Sequence, residues 1–155
     1  MCSSDLDVEI GNASDPTQGF NNIGKYPVVV LNGCFSGNVY EFGGSLNEDW
    51  IFTPGKGAIA FWAATDEGLS AVLRRHMLDF YSTAFQDSLF FGATIGQIQK
   101  ETMKNFLASL SNEPQLDSAF VHQFTIHGDP VIRIFGASKP DYKTSNAEFF
   151  FASQN

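Results

Sequence analysis

Basic residues are scarce in this 155-residue sequence. Nine Lys and Arg residues stand against seventeen Asp and Glu residues, which gives a formal net charge of −8 at pH 7. Nucleic acids and anionic membrane surfaces are bound through basic patches, so the composition disfavours both as partners. Long apolar runs are missing as well, because no stretch approaches the roughly 20 residues of a membrane span. The first residues also lack the charged and apolar regions of a signal peptide.

Motifs for phosphate, serine or metal chemistry are also missing. The sequence contains neither the phosphate loop G-x-x-x-x-G-K-[ST] nor the G-x-S-x-G motif of α/β serine hydrolases. No Cys/His pair has the spacing of metal ligands, so neither a metal site nor a cofactor is expected. Asp5, Asp7 and Glu9 alternate near the start of the sequence. We interpret them as a solvated acidic face, with a structural calcium ion as the alternative.

Cysteine is rare, since the sequence has only Cys2 and Cys34. Residues 1–6 match the translation of a common sequencing-adapter end, and we interpret them as a non-native scar. Cys34 is then the single native thiol. A single thiol is either buried and inert or accessible and reactive.

The sequence does contain a succession of strand and helix patterns. Gly, Asn, Asp and Ser are frequent in 7–25, which predicts a long loop. Short apolar runs predict strands at 26–33, 58–64 and 131–135. The S-x-x-E pattern that starts at Ser45 is a capping box and predicts a short helix to about Phe52. Helical spacing of apolar residues predicts two long helices, at 69–85 and 94–110, whereas 120–126 fits a helix or a strand.

Cys34 directly follows the first strand pattern. The apolar run 27–31 stops at Asn32 and Gly33, and the cysteine comes next. Catalytic groups of open α/β sheets lie just beyond the carboxyl ends of the strands, so this is a place for a nucleophile. Free cysteine is also among the most buried residue types, so a small buried hydrophobe is the competing interpretation.

A cysteine nucleophile needs a base, usually histidine. His76 lies in the first long helix beside two arginines, and we expect it at the surface or its boundary. His122 lies in an apolar stretch and is expected in the interior. His127 ends an apolar run, but the turn chemistry of the following Gly-Asp-Pro explains that segment without catalysis.

Four segments together resemble a known family: PVVVLNGCFSG, SLNEDWIF, GKGAIAFWAAT and HGDPVIRIFGASKPDY. They fall in that family's order across 27–142. The sequence is therefore similar to the C-terminal half of a gingipain-type cysteine peptidase domain. The resemblance implies an α/β, caspase-like fold with an open, mainly parallel sheet flanked by helices and truncated at its N-terminus. Residues 7–142 would be the peptidase part, and 143–155 a linker or the start of an immunoglobulin-like domain.

The resemblance also implies roles for individual residues. Cys34 would be the nucleophile, and its backbone N–H would help to form the oxyanion hole. Trp62, Thr65 and Asp66 would line the pocket for a substrate side chain. The family's catalytic histidine precedes the nucleophile strand, and no histidine precedes Cys34 here, so the base is expected in a missing N-terminal half. His127 is the only substitute considered.

Three functional interpretations follow. The favoured one is a cysteine endopeptidase that acts on polypeptides, extracellular or on a bacterial cell surface, of which this chain is a fragment that is inactive alone. A catalytically dead homologue is the second. The third is an α/β binding or scaffold domain in which Cys34 is structural.

Overall fold

The computed structural model describes residues 10–40, 44–109 and 114–134. The predictions for residues 1–6, for Asp5, Asp7 and Glu9, and for 143–155 lie outside these ranges. The elements are β1 (Val28–Leu31), α1 (Leu46–Phe52), β2 (Ala60–Ala64), α2 (Ser70–Tyr81), α3 (Ile95–Ala108), α4 (Pro114–Gln123) and β3 (Phe124–Gly128). The ambiguous stretch 120–126 is thus both, because α4 ends and β3 begins inside it.

The three strands form one mixed sheet in the order β1-β2-β3. β1 and β2 are parallel, whereas β3 runs antiparallel to β2. The chain is therefore an α/β protein, as predicted. Because consecutive parallel strands need a crossover, α1 connects β1 to β2, and it packs on the sheet.

The predicted strand at 131–135 is wrong over its described part. Arg133 forms only an isolated bridge to Thr94. Carbonyls in and just before this segment bond to the start of α3 instead: Ile95 N–H donates to the Ile132 carbonyl at 2.7 Å, and Gly96 N–H donates to the Pro130 carbonyl at 2.9 Å. The first N–H groups of a helix have no partner within the helix, so the segment satisfies those groups and does not pair with the sheet.

Both faces of β2 are covered, and all five of its residues are buried. One face carries Trp62 and packs against α2, α3 and α4; we call it the Trp62 face. The other carries Phe61 and packs against α1; we call it the Phe61 face. The unbroken apolar run in the sequence reflects this two-sided burial.

Three helices, α1, α2 and α3, begin within about one residue of the predicted starts, whereas the start of α4 at Pro114 was not predicted. Ser45 and Glu48 form the capping box of α1, and Thr94 and Gln97 form one on α3. Each box satisfies two N–H groups at its helix start. α2 continues into a π-helical turn over Ser82–Gln86, so the predicted helix at 69–85 is confirmed with an irregular end.

Two histidine placements are wrong, and they are wrong in opposite directions. His76 is 1% exposed, because it shares the inward stripe of α2 with Leu73 and Phe80. His122 is exposed, because α4 turns Phe120 and the residue beside His122, Val121, toward the core instead.

Candidate functional site

Two loops meet at the carboxyl end of the parallel strands. One loop follows β1 and carries Cys34, and the other follows β2. Phe35 N–H donates to the Asp66 carbonyl at 3.2 Å, and Gly37 N–H donates to the Ala64 carbonyl at 2.8 Å. The Cys34 loop (residues 32–37) is therefore held on the end of β2, at the edge where α/β sheets bind their ligands.

The Cys34 side chain is half-buried and packs against the core of the Trp62 face. Its Sγ lies 3.4 Å from both the backbone nitrogen and the carbonyl oxygen of Gly68. Two residues later α2 begins, with its N-terminus toward this loop. A backbone N–H and a helix N-terminus both favour negative charge on a nearby sulfur, as a thiolate nucleophile requires.

In the structure Cys34 is disulfide-bonded. A disulfide sulfur carries no thiolate, so this form is not nucleophilic. The chemistry of a nucleophile therefore belongs to the reduced protein, in which the Gly68 N–H can donate to the thiolate.

The backbone beside Cys34 is strained. Phe35 has φ of 58°, the one described non-glycine residue with a positive φ. Such a conformation is costly for a bulky residue, and strain of this kind concentrates at functional sites. The Phe35 side chain is 48% exposed, so burial of the ring does not explain the strain.

The predicted pocket residues are placed differently from one another. Trp62 is fully buried in the core against Phe80, so its indole side chain offers no surface to a ligand here. Thr65 is half-buried and Asp66 is exposed, and both stand on the loop that touches the Cys34 loop. The structure thus brings Cys34, Thr65 and Asp66 to one edge and leaves Trp62 inside.

The three histidines lie in different surroundings. His76 lies inside the core, and burial lowers its pKa to about 4. His122 is exposed on the last turn of α4. His127 stands on β3 opposite Phe61, so its ring leaves the sheet on the Phe61 face, whereas Cys34 packs on the Trp62 face.

Two further features bear on function. A cleft of about 330 Å³ opens near the amino ends of β1 and β2, lined by Tyr26, Lys56 and Ile59 among others, and so lies far from Cys34 along the strands. Among the described residues, no group of three His, Cys, Asp or Glu side chains could hold a metal ion. In the same part of the chain, no helix has the length and apolar character to cross a bilayer.

Comparison with known proteins identifies a family. A family model described as peptidase family C25 matches residues 5–135, which is most of the chain. No curated protein and no solved structure gives a significant match.

Proposed function

Since the chain belongs to peptidase family C25, the gingipain family of cysteine peptidases, we propose that it is the catalytic part of a cysteine-type endopeptidase. Cys34 is the nucleophile in this proposal. The observation that carries it is the position of Cys34 at the carboxyl end of a parallel strand, with its Sγ 3.4 Å from the Gly68 nitrogen. The substrate is a polypeptide, met outside the cell or on its surface.

The reaction begins with the thiolate of reduced Cys34. It attacks the scissile carbonyl carbon, and the backbone N–H of Cys34 stabilises the oxyanion that forms. Collapse of this intermediate breaks the C–N bond, the amine leaves with a proton, and water then hydrolyses the thioester. Because Cys34 must be reduced for the first step, activity requires a reductant.

The base that the reaction needs comes from outside this chain in our proposal. Neither buried His76 nor exposed His122 is placed to serve Cys34, and His127 lies on the opposite face of the sheet. We propose that a histidine from the N-terminal part of the domain supplies the base. The 155-residue chain alone is then inactive.

Thr65 and Asp66 stand on the substrate side of the site in this proposal. Asp66 is exposed, and its Oδ1 accepts the backbone N–H of Glu67 at 2.7 Å. That hydrogen bond fixes the carboxylate at the edge next to the Cys34 loop, where a substrate side chain would pass.

A structural role for Cys34 is the second candidate. The disulfide and the packing of Cys34 against the core favour it, because both are expected of a cysteine that stabilises a scaffold. In that case the protein is a catalytically dead homologue or a binding domain.

Peptide hydrolysis by the full-length protein in a reducing buffer tests the proposal. We expect Cys34→Ala and Cys34→Ser to lower kcat/KM by about a thousandfold or more, because each removes the thiolate nucleophile. Leu78→Ala, on the exposed side of α2, is the matched control and should keep activity. Full activity in Cys34→Ala would contradict the nucleophile assignment and favour the scaffold.

A further inference from the structure

His127 is the polar residue that contacts the Cys34 loop from the other face of the sheet. In the antiparallel register it pairs with Phe61, and the ring is half-buried beneath α1. Gly37, in the Cys34 loop, lies against Ala63, which belongs to this same face. His127 is therefore placed to touch the loop after the cysteine and not the cysteine itself.

The ring of His127 has two hydrogen-bond partners. Its Nε2 lies 2.8 Å from the Thr125 hydroxyl, and a second bond joins the ring to the backbone of Gly37. The Gly37 contact favours the protonated ring, so the ring donates and the Gly37 carbonyl accepts. With one nitrogen given to Gly37, Nε2 accepts from the Thr125 hydroxyl, which fixes the tautomer.

Electrostatics keep this ring neutral near pH 7. Burial lowers the pKa of His127, and the Gly37 hydrogen bond and the Glu48 carboxylate offset that effect only in part. A neutral ring with both nitrogens committed has no nitrogen left to take a proton from Cys34. His127 is thus unsuited to be the catalytic base, but it can hold the backbone of Gly37 through a hydrogen bond.

Gly37 is held tightly on its other side as well. Its N–H donates to the Ala64 carbonyl at 2.8 Å, and a Cβ at this position would lie 2.9 Å from the Ala63 carbonyl oxygen. The residue therefore lies directly against β2, with no room for a side chain. β2 binds its N–H while β3, through His127, binds its carbonyl.

We propose that His127 is a positioning residue that holds the Cys34 loop in place through the Gly37 carbonyl. This rests on the proposed function in one respect, that Cys34 is the nucleophile whose position matters. Cys34 is three residues before Gly37, and the strained Phe35 stands between them. Displacement of a reacting group by about 1 Å can lower the rate roughly a hundredfold. A hydrogen bond that fixes Gly37, and with it the position of Cys34, should therefore affect the rate.

Three variants of the full-length protein separate this role from general stability. His127→Phe keeps a ring and removes both hydrogen bonds. His127→Asn places an amide N–H near the ring nitrogen closest to the backbone and so keeps a donor for Gly37. His122→Phe, on the exposed side of α4, is the matched control.

Amide hydrogen exchange at Gly37 reports how firmly the loop is held, because its N–H is bonded to the Ala64 carbonyl and exchanges only when the loop moves away from β2. We expect His127→Phe to speed exchange at Gly37 by about tenfold, the effect of losing one ordinary hydrogen bond, and His127→Asn to restore most of the protection. His122→Phe should leave it unchanged. Unchanged Gly37 exchange in His127→Phe, or equal loss in His127→Asn, would overturn the proposal.

Peptide hydrolysis measures the effect of the His127–Gly37 hydrogen bond on catalysis. We expect His127→Phe to lower kcat by about ten- to a hundredfold with KM within about twofold, and His127→Asn to recover most of it. An unchanged kcat in His127→Phe would overturn the positioning role. Failure of the proposed function looks different, because Cys34→Ala would then keep its activity whatever the exchange at Gly37 shows.

Discussion

On the Trp62 face, His76 lies among the rings of Trp62, Phe106, Phe120 and Phe124. Within the described residues neither of its ring nitrogens has a hydrogen-bond partner. On the Phe61 face, His127 is half-buried and bonded to Thr125 and Gly37. His76 therefore packs in the core as an apolar residue would, whereas His127 forms hydrogen bonds, one of them to the backbone of the Cys34 loop. The surroundings of each histidine decide its role.

The difference follows from what covers each face. The Trp62 face meets three helices whose packed side chains are mainly aromatic and aliphatic. The Phe61 face meets the short α1 and the polar loop that carries Cys34. A functional site is therefore expected at the edge of the sheet, where the loops lie, and most of the stability is expected from the Trp62 face.

The largest effect should come from emptying the centre of the Trp62 face. Trp62→Ala removes a fully buried indole, and the cavity should cost about 3–5 kcal/mol in the free energy of unfolding. Denaturant titration measures this. Leu78→Ala, on the exposed side of α2, should change it by less than about 0.5 kcal/mol. Similar losses in both variants would refute the assignment of the core to this face.

The next effect is pH-dependent and separates the two histidines. Burial lowers the pKa of His76 to about 4 from 6.5. The unfolded chain therefore takes up the proton first, and stability falls as the pH drops below about 6.5. Between pH 7 and pH 4.5, protonation of His76 in the unfolded chain should lower the free energy of unfolding by about 2–3 kcal/mol. The full loss is reached only below the pKa of His76 in the folded protein.

His76→Phe should remove that part of the acid sensitivity. Free energies of unfolding at the two pH values, compared between the variant and the wild type, measure it. Asp79 on α2, whose pKa is raised by burial, and the Arg75–Asp117 ion pair are present in both proteins, so their contributions cancel. An equal loss of stability in both proteins would show that His76 is not buried as a neutral ring.

The smallest effect concerns the Phe61 face. Glu48→Gln keeps an oxygen to accept the Ser45 N–H, a contact of 3.0 Å, but removes the charge that faces His127. Because that charge raises the pKa of His127, the variant should lower it further, while the pKa of His76 should not change. NMR titration of the two rings measures both values, and a larger shift at His76 would reverse the comparison.

Much of the fold could be predicted because its signals are local. The capping box at Ser45 and Glu48 marked α1, and the apolar runs marked β1 and β2, since both depend on neighbours in sequence. The segment at 131–135 has a strand composition, yet its backbone caps α3. Nothing local could reveal that, because the competing partner is far along the chain.

The site was predictable only in part. The placement of Cys34 after β1 follows from strand topology, and its loop is where that topology requires. The positive φ of Phe35 has no signal in the sequence, and the contact of His127 with Gly37 depends on the antiparallel return of β3. His76 was misplaced because two neighbouring arginines suggested a surface, whereas the helical stripe through Leu73 and Phe80 decided burial.

The rate at which Cys34 reacts with an alkylating reagent tests the central claim most directly. The reduced full-length protein is labelled with iodoacetamide at pH 7 in its native and urea-unfolded states, and alkylation is followed on the peptide that contains Cys34. A stabilised thiolate at an open sheet edge should react at least about tenfold faster when native, and a peptidyl electrophile should block the reaction. Slower labelling in the native state than in urea would show a buried structural cysteine and contradict the account.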